Sequence, residues 1–189
     1  PLFLYGHSMG GNIVLNYALR PPQGTDVRLT GVIASSPWVD VAKESAPHKI
    51  ELMAASVVKK VVPGFSKKTG LDARFISRDP EEVKRYTQDE LVQDECTIGL
   101  YTTMSDSAEW IRENAGLLST PLYIYHGSGD KITSHDASKK FVEGEKHKTD
   151  DVTFRSWEGS HHETHHDLDR DAVIAALGDW ILQRASVST

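Results

Sequence analysis

The sequence has a single cysteine, Cys96, among 189 residues, so no internal disulfide can form. This excludes a small disulfide-stapled secreted scaffold and makes a cytoplasmic setting the expectation. Long apolar runs are also lacking, since none approaches the roughly 20 residues of a spanning helix. Any membrane or lipid-droplet contact is therefore expected to be peripheral. Basic residues are in the minority: 21 Lys and Arg face 27 Asp and Glu, giving a net charge of -6 without a dense basic tract. Nucleic acid, held chiefly through its phosphates, is not an expected partner. An initiator methionine is missing too, and Leu2-Phe3-Leu4-Tyr5 follows Pro1 directly as a strand-like run with no charged signal-peptide region before it. The chain is expected to be cut at its N-terminus.

What is present is the ordinary composition of a globular domain, 39% hydrophobic and 25% charged. Short apolar runs at Leu2–Tyr5, Gly31–Ala34 and Leu122–Tyr125 predict buried strands, and Val152–Trp157 is a fourth strand candidate. Helical segments follow the first, third and fourth of them, at Gly10–Leu19, Ser134–Glu143 and Asp171–Arg184. Strands alternating with helices predict an α/β fold with a mostly parallel sheet of about four strands. The stretch 37–116 breaks the alternation. It has no convincing strand but several helical signals, among them the apolar run Pro47–Val62 and the capped start Asp79-Pro80-Glu81-Glu82. The expected organisation is a first core segment 1–36, a helical cap insertion 37–116 and a second core segment 117–189.

Gly6-His7-Ser8-Met9-Gly10 matches G-x-S-x-G, and it lies between a predicted strand and a predicted helix as that motif requires. The serine there sits on a strained turn, and side chains at Gly6 and Gly10 are expected to collide with neighbouring backbone. The Met9 backbone N–H, at a helix start, can donate to the oxyanion of a tetrahedral intermediate. A serine hydroxyl needs an imidazole to take its proton and a carboxylate to orient that imidazole, following in the order Ser, Asp, His. Asp130, in Gly127-Ser128-Gly129-Asp130, lies just beyond the third strand; as a bystander it would be an ordinary turn aspartate. Gly159-Ser160-His161-His162 follows the fourth strand, and spacing alone does not choose between its two histidines.

The same segment supports a competing chemistry. His162-Glu163-Thr164-His165-His166 fits H-E-x-x-H, in which His162 and His166 would bind zinc and Glu163 would activate water. That pattern needs a helix through the segment and a third ligand, and neither is evident. A third class is a non-catalytic fragment that pairs with a partner.

With these motifs in hand, the chain resembles monoacylglycerol lipases of the α/β-hydrolase fold, in the group labelled serine aminopeptidase S33-like or hydrolase-4. The resemblance runs from Pro1 to about Arg184. Its carriers are Gly6-His7-Ser8-Met9-Gly10-Gly11, Ser36-Pro37, the stretch from Ser77-Arg78-Asp79 to Asp89, Gly127-Ser128-Gly129-Asp130-Lys131 and Glu158-Gly159-Ser160-His161-His162. It implies Ser8 as nucleophile, Asp130 as acid, and His162 rather than His161 as base, with His161 replacing the usual Tyr. It also implies Met9 N–H as one oxyanion donor, His165 near the glycerol group, and no cofactor or metal. A lipid ester, monoacylglycerol foremost, is the implied substrate, with other carboxylesterase or lysophospholipase activity as alternatives. The resemblance places further strands and a second oxyanion donor upstream of Pro1, so the first strand is expected to be an open edge prone to self-association. The cap is expected to form the acyl pocket, and its helix from Met53 to Val62, with Lys59 and Lys60, could touch a lipid surface.

Overall fold

The computed structural model describes residues 1–24, 27–46, 58, 61–144 and 146–186. Four strands, β1 (Phe3–His7), β2 (Gly31–Ser35), β5 (Leu122–Gly127) and β6 (Val152–Trp157), form a parallel sheet in the order β1-β2-β5-β6. Each run was expected as a strand. The two central strands are buried at every position, as their unbroken apolar sequence requires when helices cover both faces. The outer two are only partly covered, and Leu2 and Tyr5 are exposed at the β1 edge.

One face carries α1 (Met9–Leu19), α3 (Ile98–Glu113) and α4 (His135–Glu143) over a core that includes Leu15, Val32, Ile111, Leu122 and Phe141. Helix α1 buries Val14, Leu15, Ala18 and Leu19 at helical spacing and stops at Arg20, before Pro21-Pro22. Leu15 is wholly buried, so Leu15→Ala would cost about 2–5 kcal/mol through lost transfer energy and the cavity left. The other face is covered by α5 (Arg170–Ala185), whose Val173 and Trp180 pack on Ile33, Tyr123 and Tyr125. Trp180 stacks on Tyr123 with ring centroids 5.5 Å apart.

The range 37–116 differs from the sequence expectation in one respect. Ser66–Lys68 (β3) and Glu95–Thr97 (β4) pair antiparallel, Lys67 opposite Cys96. These three-residue strands are largely polar and exposed, so they carry no hydrophobic period, and the Ser66 hydroxyl donating to Glu95 (2.9 Å) ties them together. Helix α2 (Pro80–Gln88) starts as its residues predict, with Asp79 accepting from Glu81 N–H and Pro80 in the first turn. Helix α3 packs on α1 and supplies Ile111 to the core, so it is continuous with the sheet's own covering layer. Most of the expected Pro47–Val62 helix, including Met53, Lys59 and Lys60, lies outside the described residues. Val58 and Val61 are helical. Among the described residues, no helix is long and apolar enough to cross a membrane.

Candidate active site

Because the four strands are parallel, they all end on one edge, with His7 beside Ser35 and Gly127 beside Trp157. The loops leaving β1, β5 and β6 therefore meet there, as in other open α/β sheets.

Ser8 occupies the turn between β1 and α1 at φ 56°, ψ -117°, a conformation costly for a residue with a Cβ. Its N–H donates to Ser35 C=O (2.9 Å), and its own C=O accepts from Trp38 N–H (2.9 Å), so the surrounding backbone holds the turn. A Cβ at Gly6 would overlap the Gly10 carbonyl, whereas one at Gly10 would meet nothing within 4 Å. This corrects the expectation for Gly10. The second close approach is at Gly11, where a Cβ would come 2.7 Å from Pro37 Cα. Helix α1 thus passes close to the loop after β2 one residue later than the motif's final glycine.

Asp130 leaves β5 on a turn in which Oδ1 accepts from Ile132 N–H (2.7 Å) and Thr133 N–H (3.1 Å). Its Oδ2 accepts from His162 Nδ1 (2.8 Å), Thr133 Oγ1 (2.9 Å) and His126 Nε2 (3.0 Å). Burial opposes ionisation, but the electrostatic pull of the His162 imidazole and the hydrogen bonds from His126 and His162 outweigh it and hold the carboxyl well below the usual range. With Nδ1–H directed at this carboxylate, His162 Nε2 is left with a lone pair. It faces Ser8 Oγ at 2.9 Å.

The loop carrying His162 is held by backbone from the segment between β3 and α2. His162 N–H donates to Phe75 C=O (3.2 Å) and Glu163 N–H to Ile76 C=O (2.9 Å), while Ser36 Oγ donates to His162 C=O (2.7 Å). His161 turns the other way and donates from Nδ1 to Arg74 C=O (3.0 Å). Arg78 reaches Asp167 (2.8 Å), Asp169 (2.5 Å) and Ser160 Oγ (2.9 Å), and the fully buried Asp167 also accepts from His161 N–H (2.7 Å).

The structure therefore brings Ser8, His162 and Asp130 into one hydrogen-bonded row. Met9 begins α1, where its N–H lies in the first turn and has no partner within the helix. His165 lies beside the row: its ring meets His7 edge-on at 5.0 Å, and its buried Nδ1 has no hydrogen-bond partner. Burial, with the charge of His166, brings His165 down to about 4. His7, whose ring lies 4.7 Å from that of His162, is brought down to about 2 by burial and by the repulsion its own charge would meet beside the imidazoles of His162 and His165. Both rings are neutral at neutral pH.

His7, Ser36, His126 and Thr133 were not picked out as site residues from the sequence. A signal existed for His126: it is a polar residue closing an apolar strand, four positions before a turn aspartate.

The zinc donor set does not assemble. Thr164–His166 is one 3-10 turn, His162 has both ring nitrogens engaged, and His166 Nδ1 pairs with Glu163 (2.9 Å). Among the described residues, no group of three or more His, Cys, Asp or Glu is placed to hold a metal ion.

A parallel sheet covered on both faces, with a strand–serine–helix elbow at its C-terminal edge, places the molecule in the α/β-hydrolase class. More narrowly, residues 1–169 match the Hydrolase_4 family, described as serine aminopeptidase, S33, and the chain belongs to that family. It is 34% identical to a putative monoglyceride lipase of Schizosaccharomyces pombe, an alignment covering 100% of this chain and 49% of that protein. It is 29% identical to the monoglyceride lipase of Homo sapiens, covering 100% of this chain and 60% of that one. The crystal structure of Paleococcus ferrophilus monoacylglycerol lipase superposes with a TM-score of 0.87 at 31% identity, over 96% of this chain and 68% of the other. The chain thus spans about half to three fifths of the length of the two curated relatives.

Proposed function

We propose that the intact protein hydrolyses lipid carboxylic esters, monoacylglycerol first among them, through an acyl-enzyme on Ser8. The observation that carries this reading is the unbroken row from Ser8 Oγ to His162 Nε2 (2.9 Å) and from His162 Nδ1 to Asp130 Oδ2 (2.8 Å). Ser8 Oγ attacks the ester carbonyl as His162 Nε2 takes its proton. The oxyanion that forms accepts a hydrogen bond from Met9 N–H, and Asp130 stabilises the imidazolium. His162 then passes the proton to the departing alcohol. A water, deprotonated by His162, cleaves the acyl-enzyme, releases the fatty acid and restores Ser8 Oγ–H.

The monoglyceride lipases among its relatives favour this substrate class over other esters. Exposed Val61, Val62 and Phe65, next to the exposed strand carrying Lys67 and Lys68, suit contact with a lipid surface. The test is release of glycerol and fatty acid from monoacylglycerol by the intact protein, with and without Ser8→Ala. Release should disappear in the variant and should be unaffected by a strong chelator. Release at the parental rate from Ser8→Ala would overturn the reading.

A further inference from the structure

The mechanism above uses one of the two imidazoles that reach Asp130. The other, His126, is the penultimate residue of β5, with no side-chain exposure, and its Nε2 lies 3.0 Å from the same oxygen, Oδ2, that His162 uses. Its Nδ1 lies 3.0 Å from Ser138 Oγ on α4. These distances fix the protons. A carboxylate oxygen can only accept, so His126 Nε2 carries a hydrogen, and a neutral ring then leaves Nδ1 with a lone pair that must accept from the Ser138 hydroxyl. Burial disfavours the charged imidazole and holds His126 below its ordinary value, against the pull of Asp130. The ionisable groups around it are Asp130 and His162 on their loops, His7 on β1, and His135 on α4, whose ring lies edge-on at 5.6 Å.

We propose that His126 is a positioning residue for hydrolysis: a neutral imidazole, its tautomer set by Ser138, that keeps Asp130 ionised and aimed at His162 without touching the substrate. The inference rests on the Ser8–His162–Asp130 reading. A buried carboxylate whose only partner was His162 could rotate about its terminal torsion and lose alignment. His126 Nε2 and the Thr133 hydroxyl donate to Oδ2 from other directions, while Ile132 N–H and Thr133 N–H hold Oδ1. The carboxylate plane is thereby fixed at both oxygens. Helix α4 is coupled to the site through Ser138, although it carries no reacting group.

His126→Leu fills much of the same volume but removes both hydrogen bonds, whereas His126→Gln keeps an N–H donor of similar reach. A hydrogen bond to a charged group, once lost, corresponds to about 10- to 100-fold in rate. In the intact protein, His126→Leu should lower kcat by that factor with KM unchanged, and His126→Gln should recover most of it. Ser138→Ala, which leaves packing almost untouched, should lower kcat by a smaller factor of about threefold, as expected for loss of a neutral hydrogen bond. Nitrogen-15 spectra at neutral pH should show His126 as the Nε2–H tautomer.

Ser8-dependent turnover with a kcat in His126→Leu equal to the parent's overturns the inference alone. So does a fall in the melting temperatures of His126→Leu and His126→Gln matched by equal falls in kcat, because that is the signature of packing. An Nδ1–H tautomer also overturns it. Turnover that survives Ser8→Ala removes the triad reading, and the inference with it.

Discussion

Ser8 keeps its left-handed turn because backbone on both sides holds it, and the same constraint directs its hydroxyl at His162. His162→Ala is therefore expected to abolish hydrolysis, whereas His161→Ala, whose ring bonds Arg74 C=O, should retain most of it; steady-state rates on a monoacylglycerol check this. The reverse outcome would shift the base to His161. The neutral histidines have a consequence for stability. In the folded chain His7 is protonated only near pH 2, against 6.5 for the ordinary group, so between those values the unfolded chain holds a proton that the folded chain does not. Stability must then fall as pH falls below about 6.5, by at most ~1.4 kcal/mol per pH unit for each such histidine. His165, at about 4, adds to the slope over a narrower window. Asp130, its folded pKa depressed, acts in the same sense at lower pH, where the unfolded carboxyl protonates first. His7→Gln should flatten the decline between about pH 6 and about pH 4.5, read as urea midpoints. An unchanged slope would mean that His7 titrates normally in the folded protein.

At the scale of elements, the loop between β6 and α5 depends for its shape on the stretch from Phe75 to Glu82. Arg78 connects one side to Asp167, Asp169 and Ser160 on the other, and Arg170 returns the contact to Asp79 (3.1 Å) and Glu82 (2.9 Å) on the α2 side. Removing Arg78 leaves Asp167 buried with only the backbone N–H groups of His161 and Leu168. Arg78→Ala is expected to cost about 2–4 kcal/mol and to slow reaction of Ser8 with a fluorophosphonate. Arg78→Lys should recover only part, since an ammonium lacks the planar fork that spans three partners. Melting temperature and labelling rate together check it, and a destabilised variant that labels at the parental rate would show that the loop keeps its shape unaided.

The elements most legible from sequence are those with strong local signals. Three of the four sheet strands are apolar runs closed by glycine or polar residues, the fourth, Val152–Trp157, mixes apolar and polar residues, and α2 carries its cap, proline and acidic first turn in order. The β3–β4 pair was not legible, because its residues are largely polar and its partners, such as Lys68 and Glu95, are far apart in sequence. Gly10 was misjudged for a related reason: which glycine meets a neighbour depends on where Pro37 lies after folding, and spacing does not reveal that. The site was legible wherever chemistry dictates residue type, at Ser8, Asp130 and the His161-His162 pair. His126 and Thr133 were not, because a buried histidine at a strand end looks the same in sequence whether it packs or donates.

At the scale of the whole molecule, the sheet is unevenly covered. Strands β2 and β5 are buried throughout, while β1, beside exposed Leu2 and Tyr5, is an outer strand with an unpaired edge among the described residues. Residues 1–189 expressed alone are expected to associate with rising concentration and to hydrolyse esters weakly, with Met9 N–H as the only oxyanion donor proposed within this chain. Sedimentation across a concentration series, run beside an esterase assay, tests this. A stable monomer with activity close to that of a full-length monoglyceride lipase would show that another segment of the chain supplies the second donor and that the β1 edge is protected.

The most direct test of the account is to look for the acyl group itself. The intact protein would be mixed with a long-chain monoacylglycerol, quenched in acid during turnover, digested and analysed by peptide mass spectrometry. The account predicts an acyl mass on the peptide carrying Ser8, absent from Ser8→Ala and insensitive to a chelator. Turnover with no adduct on Ser8, stopped by the chelator and restored by zinc, would contradict it.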